Sequence, residues 1–234
     1  WMEALGHTII GNSFALVPLT LSSDWTKQLS GLTIPECRLT LVVDGVKHSV
    51  HPGKLLFTHV GLTGPTVLNM SKTVGDLLEY ADVVIKLDLF PGKDPAAMDH
   101  MMLETFAADI NKKVRNALGQ LIPVALAKAV LNECGIDGET KCNSVTKPQR
   151  IVLGQYLRNI PLPVSGLLGR DKAVVSAGGV ELTEVDFKTM ESKIVPGLFL
   201  VGDILNINRP SGGYSLQLCW TTGAVAGEWA GKSK

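Results

Sequence analysis

Ser176-Ala-Gly-Gly-Val180, Met190-Glu-Ser192, Pro196-Gly-Leu-Phe-Leu-Val-Gly-Asp203 and Ser211-Gly-Gly-Tyr-Ser-Leu-Gln217 follow one another near the C-terminal end of this 234-residue chain. Their reading decides the fold. The apolar run Leu198 to Val201 reads as a strand that delivers the pair Gly202-Asp203. A second pair, Gly212-Gly213, opens a helix rich in small residues that runs to about Ala230. An acid at a strand end suits a sugar-type hydroxyl. A helix N-terminus offers free N–H groups and partial positive charge. Paired glycines let backbone approach a flat ring with no Cβ in the way. The candidate binding residues are therefore Gly178, Gly179, Val180, Gly202, Asp203, Gly212 and Gly213, with the amides of Tyr214, Ser215, Leu216 and Gln217. The plainer alternatives are a surface turn at Gly-Asp and a tight turn at Gly178-Gly-Val180. No Gly-x-Gly-x-x-Gly occurs anywhere, so the turn that grips a pyrophosphate is missing.

The composition is that of an ordinary globular protein, with 45% apolar and 19% charged residues. Lys plus Arg equals Asp plus Glu at 22 each, which predicts no nucleic-acid partner. No apolar run reaches the ~18 residues that span a bilayer, so no membrane partner is expected. Cys37, Cys134, Cys142 and Cys219 match no zinc spacing and read as buried thiols of a cytoplasmic protein. Cys134 and Cys142 are close enough in sequence to bridge, but nothing suggests secretion. His7, His48, His51 and His100 have no partner at metal-ligand spacing, so no metal site is expected. The chain opens on Trp1, and with the missing fingerprint this reads as a cut within a longer protein.

Working outward from the C-terminal blocks, Arg38-Leu-Thr-Leu-Val-Val43 and Lys47-His-Ser-Val50 alternate apolar and polar around Asp44-Gly45, a hairpin signal. Gly53 to Pro65 is punctuated by glycine, and Asp82 to Leu89 reads as another strand. From Pro95 to about Tyr156 the spacing becomes helical. Asp94-Pro95, Pro123 and Lys147-Pro148 read as helix starts, and Gly135 as a stop. Leu118, Leu121, Ile122, Leu126 and Val130 form a core stripe. The fold class expected is α+β, in three parts. Residues 1–20 and 171–234 are flanks that meet in one domain. Residues 21–170 form a β-rich insertion lobe, with a nested helical subdomain at about 95–160.

These blocks are familiar as a set. Leu55-Leu-Phe-Thr-His-Val-Gly-Leu-Thr-Gly-Pro65 resembles the Leu-Phe-Thr-His signature of the HI0933-like flavoproteins, also called the BaiN or YhiN family. The Gly-Gly-Val, Met-Glu-Ser, Pro-Gly-Leu-Phe and Gly-Gly-Tyr blocks stand in the family's order. Glu3-Ala-Leu-Gly-His7 resembles the stretch after the family's Gly-Asp-Gly turn. The resemblance covers essentially the whole chain. It implies a longer NAD(P)/FAD-dependent oxidoreductase in which the flanks are remnants of a Rossmann-like FAD-binding domain. The candidate residues above would then hold FAD, with NAD(P)H as the electron donor. Three departures touch the site. Asp203 stands where the family has Glu, Ser215 where it has Asn, and a glycine is expected near Arg209.

The resemblance implies hydride transfer to or from a small organic substrate of amine or enone type. His59 sits in the signature between Thr58 and Val60. It reads either as a histidine satisfied by backbone or as a proton donor facing the flavin. Two other classes stay open: a non-catalytic binding module on this fold, and a flavin-dependent RNA-modifying enzyme, against which the neutral charge argues. Without the pyrophosphate-gripping half, the chain by itself is expected to lack flavin and activity. Its exposed flank would then favour self-association.

Overall fold

The computed structural model describes residues 1–169 and 175–232. The boundary expected at residue 170 lies outside the described residues. In chain order the strands and helices are β1 (Ile9–Ala15), β2 (Leu19–Leu21), β3 (Thr33–Val43), β4 (Val46–Phe57), β5 (Gly61–Thr63), α1 (Pro65–Leu78), β6 (Val83–Asp88), α2 (Pro95–Ala107), α3 (Val114–Leu118), α4 (Val124–Glu133), α5 (Lys147–Leu157), β7 (Ile160–Leu167), β8 (Val175–Val180), β9 (Val185–Asp186), β10 (Glu191–Ser192) and α6 (Tyr214–Ala230).

Two compact units are present. One comprises Trp1–Pro18, Val67–Thr73 and Leu168–Lys234; the other comprises Leu19–Thr66 and Val74–Leu167. The second unit contains a closed antiparallel barrel in the order β2-β5-β4-β3-β6-β7. Its long hairpin follows from local chemistry. Asp44 and Gly45 both take positive φ, 47° and 80°, as a two-residue hairpin turn requires. On β3, Leu39 and Leu41 are fully buried, while Arg38 and Thr40 alternate toward the outer face. Gly61 closes the barrel at a point of near contact. A Cβ there would strike the Leu19 carbonyl oxygen and lie 2.8 Å from Thr20 Cα.

The helices of this unit start where their caps dictate. Asp94 accepts a hydrogen bond from the Ala97 N–H at 2.7 Å, with Pro95 as the first helical residue. Thr146 and Gln149 form a reciprocal capping box on α5. Leu118, Ile122, Leu126 and Val130 are buried as the stripe requires, beside Met98, Met102 and Phe106. Cys134 and Cys142 are free thiols.

The first unit is built differently. β1 pairs antiparallel with β8, and β9 with β10. Its core cluster is small: Val180, Val185, Met190, Leu200, Leu205 and Ala226. The strand expected at Leu198–Val201 does not form as such. Gly197 and Gly202 both take positive φ, which leaves a short extended piece held by a single bridge from Phe199 to Glu191. α1, whose residues are divided between the two units, is a further helix that the sequence reading does not include, although Val67, Met70, Val74 and Leu77 are buried at helical spacing.

Gly61→Ala should destabilise the chain by about 1–3 kcal/mol, the usual cost of overpacking where backbone cannot retreat. Urea unfolding monitored by circular dichroism measures it, and an unchanged midpoint would show that the β2–β5 contact is looser than the structure has it.

Candidate functional site

Most of the candidate binding residues come together in the first unit. β8 ends in Gly178 and Gly179, at φ 121° and 126°, then Val180. Val180 forms a parallel bridge to Leu205, and its carbonyl accepts the Asn206 N–H at 3.1 Å. Gly179 is what lets the two segments lie so close. A Cβ on it would strike the Ile204 carbonyl oxygen and stand 2.9 Å from Asn206 N. The Gly178–Val180 and Gly202–Leu205 segments therefore form one backbone-lined surface.

Gly202 ties that surface to α6. Its N–H donates to Thr222 Oγ1 at 2.9 Å, and a Cβ at Gly202 would stand 2.9 Å from Cys219 Sγ. Gly212 and Gly213, at φ 108° and 89°, lead into α6, whose first residue is Tyr214. Tyr214, Leu216 and Gln217 are exposed and Ser215 is half-buried. Of the seventeen residues of α6, only Thr222 and Ala226 are buried. Tyr214, Leu216 and Trp220 leave an apolar face in solvent, as do Val201 and Ile204 nearby in sequence.

Asp203 keeps a side chain 60% exposed and pairs with Arg209, whose side chain is only 5% exposed. Arg209 Nη1 lies 3.0 Å from Asp203 Oδ1 but is not aligned to hydrogen-bond it. Nη1 and Nε are thus buried donors without an acceptor. Sequence reasoning noted Arg209 only as a residue where glycine is expected. A cation in a Gly-flanked loop was the signal available.

A second network braces the same unit and was not anticipated. His7 is buried. Its Nδ1–H donates to Glu184 Oε2 at 2.8 Å, and its Nε2 lies 3.0 Å from Ser192 Oγ. Ser192 Oγ already accepts the N–H groups of Ile194 and Val195, so its single proton goes to Nε2. Glu184 also accepts the Thr8 N–H. The Thr8 side chain first, then His7 and the Thr8 N–H, hold the Glu184 carboxyl below the usual carboxylate range. The hydroxyl and imidazole are both committed to holding backbone and to each other, so this is a brace between the N-terminal segment and β10.

His59 belongs to the other unit. It is exposed in the turn between β4 and β5, where Thr58 N–H donates to the Gly61 carbonyl and Thr58 Oγ1 accepts the Gly61 N–H. None of the hydrogen bonds or ion pairs described here involves its ring. Among the described residues there is no group of three or more His, Cys, Asp or Glu side chains that could hold a metal. Nor is any helix among them long and apolar enough to cross a membrane.

Residues 14–175 match the family described as HI0933-like protein barrel and H2TH domain. The chain belongs to the HI0933-like family. The barrel and helices α2 to α5 fall within the matched stretch. A ribosomal RNA dihydrouridine synthase of Escherichia coli (strain K12) is 27% identical over 223 residues, which are 94% of this chain and 52% of that protein. One of Haemophilus influenzae is 25% identical over 222 residues, 94% of this chain and 52% of that protein. A 3-dehydro-bile acid delta(4,6)-reductase of Clostridium scindens is 24% identical over 233 residues, 97% of this chain and 56% of that protein. The chain spans about half the length of the curated relatives it matches, and these relatives are enzymes.

The expected absence of a nucleic-acid partner is overturned by these relatives, two of which are named for ribosomal RNA. Net charge is a sum over the whole chain, whereas RNA contact depends on local cations. A net charge of zero therefore does not exclude such a surface. In this HI0933-like chain Arg38, Lys47 and Lys86 line one concavity of about 370 Å³ on the barrel.

Because the Glu184 carboxyl is held low, its contribution to stability is present above the ordinary carboxylate pKa of about 4.3 and is lost as pH falls through and below it. Glu184→Gln should therefore melt below wild type at neutral pH, with the gap closing in acid. Thermal melts at pH 7 and near pH 4 check the sign; a gap that widened in acid would be the wrong one.

Proposed function

We propose that this chain belongs to a flavin-dependent reductase that acts on a carbon–carbon double bond conjugated to a carbonyl. One observation carries the reading. Gly178 to Val180 and Gly202-Asp203 meet through the Val180–Leu205 parallel bridge, and Gly202 joins them to α6. A parallel pairing ahead of a helix N-terminus is the form of a Rossmann-like nucleotide site, and it supports reading the first unit as part of an FAD-binding domain. The names of the relatives support the reaction class, since a dihydrouridine synthase and a delta(4,6)-reductase both saturate such a bond.

The residues present fit FAD at the ribitol and ring end. Asp203 offers an exposed carboxylate to a hydroxyl. Gly178, Gly179, Gly212 and Gly213 offer backbone with no side chain over it. Tyr214 to Leu216 present the first-turn amides and helix dipole, which favour negative charge at the pyrimidine carbonyl, whereas the Gln217 N–H, expected to join them, is spent on the Gly213 carbonyl at 3.2 Å. When bound, the flavin supplies the hydride, with NAD(P)H as the source of electrons. The protein positions the reactants and places charge. His59 is a candidate proton donor on its exposed turn. RNA is the substrate class that two of the three relatives favour, and a small enone is the second reading, favoured by the third.

In a polypeptide of the relatives' full length that carries these residues, Asp203→Ala should weaken FAD binding by about 1–3 kcal/mol, roughly five- to 150-fold. A flavin dissociation constant equal to wild type would remove Asp203 from the site. His59→Gln should lower turnover at normal flavin content and erase one limb of the pH–rate profile near neutrality. If the profile keeps both limbs, His59 is only a turn residue. The 234-residue chain alone should not bind FAD at micromolar concentration, because the grip on the pyrophosphate is absent from its sequence. Isothermal titration decides this, and micromolar binding would refute it.

A further inference from the structure

Along β3, residues 38, 40 and 42 share the outer face of the barrel, and each two-residue step covers about 6.7 Å. A cation stands at every step. Lys47 of β4 is paired with Val42, Lys86 of β6 is paired with Thr40, and the third is Arg38 itself. All three line the concavity of about 370 Å³, together with Thr40, Val42 and Asn159. None of the described residues that line it is acidic. Neither Lys47 nor Lys86 has an ion pair among the described residues. Arg38 is 42% exposed along its side chain, and its Nη2 donates to the Pro91 carbonyl at 2.7 Å, which fixes the guanidinium at the rim. Asp88 lies across from it in register but is buried, accepts the Phe90 N–H at 2.9 Å and stands 3.9 Å from Arg38 Nη1. Asp44, next to the concavity at Gly45, accepts the Asp82 N–H at 2.9 Å.

Like charges gathered on one sheet face repel, so packing gives no reason for the row. A row of cations at a repeating step suits a polymer of repeating negative charge better than one small anion. Lys and Arg, joined by Thr and Asn, are the side chains that contact phosphate and sugar. We propose that the outer face formed by β4, β3 and β6 binds the sugar–phosphate backbone of an RNA substrate. The kind of polyanion rests on the RNA reading above; the row of cations does not. Such contacts set affinity and register and carry no choice of base.

The test is fluorescence anisotropy of a labelled RNA hairpin titrated with the 234-residue chain across about 50–200 mM KCl. The logarithm of the binding constant should fall linearly with that of the salt. Lys47→Gln/Lys86→Gln should reduce the slope by about 1.5 and weaken binding at the lower salt by roughly fivefold or more. Lys128→Gln/Lys188→Gln removes the same net charge at exposed positions off this face and should keep the wild-type slope. Thermal melts check that each variant folds. If the first double variant melts early, Lys47→Gln alone, at an exposed position, should lose about half as much slope. Binding that Lys47→Gln/Lys86→Gln leaves unchanged, or an equal loss in the control variant, overturns this face and leaves RNA standing as the substrate class. No RNA binding by the wild type overturns both, while the flavin reading still stands on the Asp203 test. Competition by poly-glutamate as effective as by unlabelled RNA of equal charge assigns the face to an acidic polypeptide and overturns the proposal.

Discussion

Strand β8 must lie against residues 204–206 with nothing between the two backbones, and the candidate site depends on that constraint. A single methyl group at Gly179 would occupy the place of the Ile204 carbonyl oxygen. With hydrogen there, Val180 accepts the Asn206 N–H and the parallel bridge to Leu205 forms. Val180 and Leu205 are then both fully buried in the small core of this unit. Gly202, just upstream of that bridge, is in turn close enough to α6 to hydrogen-bond Thr222. The glycines set the geometry, and the two apolar side chains supply the burial that holds it.

The barrel obeys the same logic through a different element. Closing six strands brings β5 against β2, and at Gly61 there is no room for a Cβ beside the Leu19 carbonyl. The hairpin of β3 and β4 is set locally by Asp44-Gly45. Ring closure requires β2 to pair with β7, across more than a hundred residues of sequence that include all the helices of that unit. Such long-range pairing is held by inward-facing side chains such as Leu19, Leu62 and Leu162, all fully buried.

Charge illustrates how a whole-chain quantity misleads. Equal numbers of acidic and basic residues say nothing about where they sit. Folding buries the guanidinium of Arg209 beside Asp203 and places Arg38, Lys47 and Lys86 around one concavity. Neither follows from the sum. The His7 brace teaches the same lesson, since its three side chains come from positions as far apart as residues 7 and 192.

Local rules made several features legible in the sequence alone. The Asp44-Gly45 turn, the Asp94 cap, the helix start at Lys147-Pro148, the mostly buried stripe from Leu118 to Val130 and the run of α6 each depend on residues within a turn or two of one another. Glycines at 178, 179, 202, 212 and 213 could be singled out because they lack a Cβ, and in the structure each takes positive φ, a backbone shape that side chains disfavour. Tertiary structure alone decided the rest. It closed the barrel and turned the expected strand at Leu198–Val201 into a single bridge. It also set Arg209 on Asp203 with two donors unspent. These outcomes depend on which distant backbone or charge arrives next to a residue, and spacing along the chain carries no record of that.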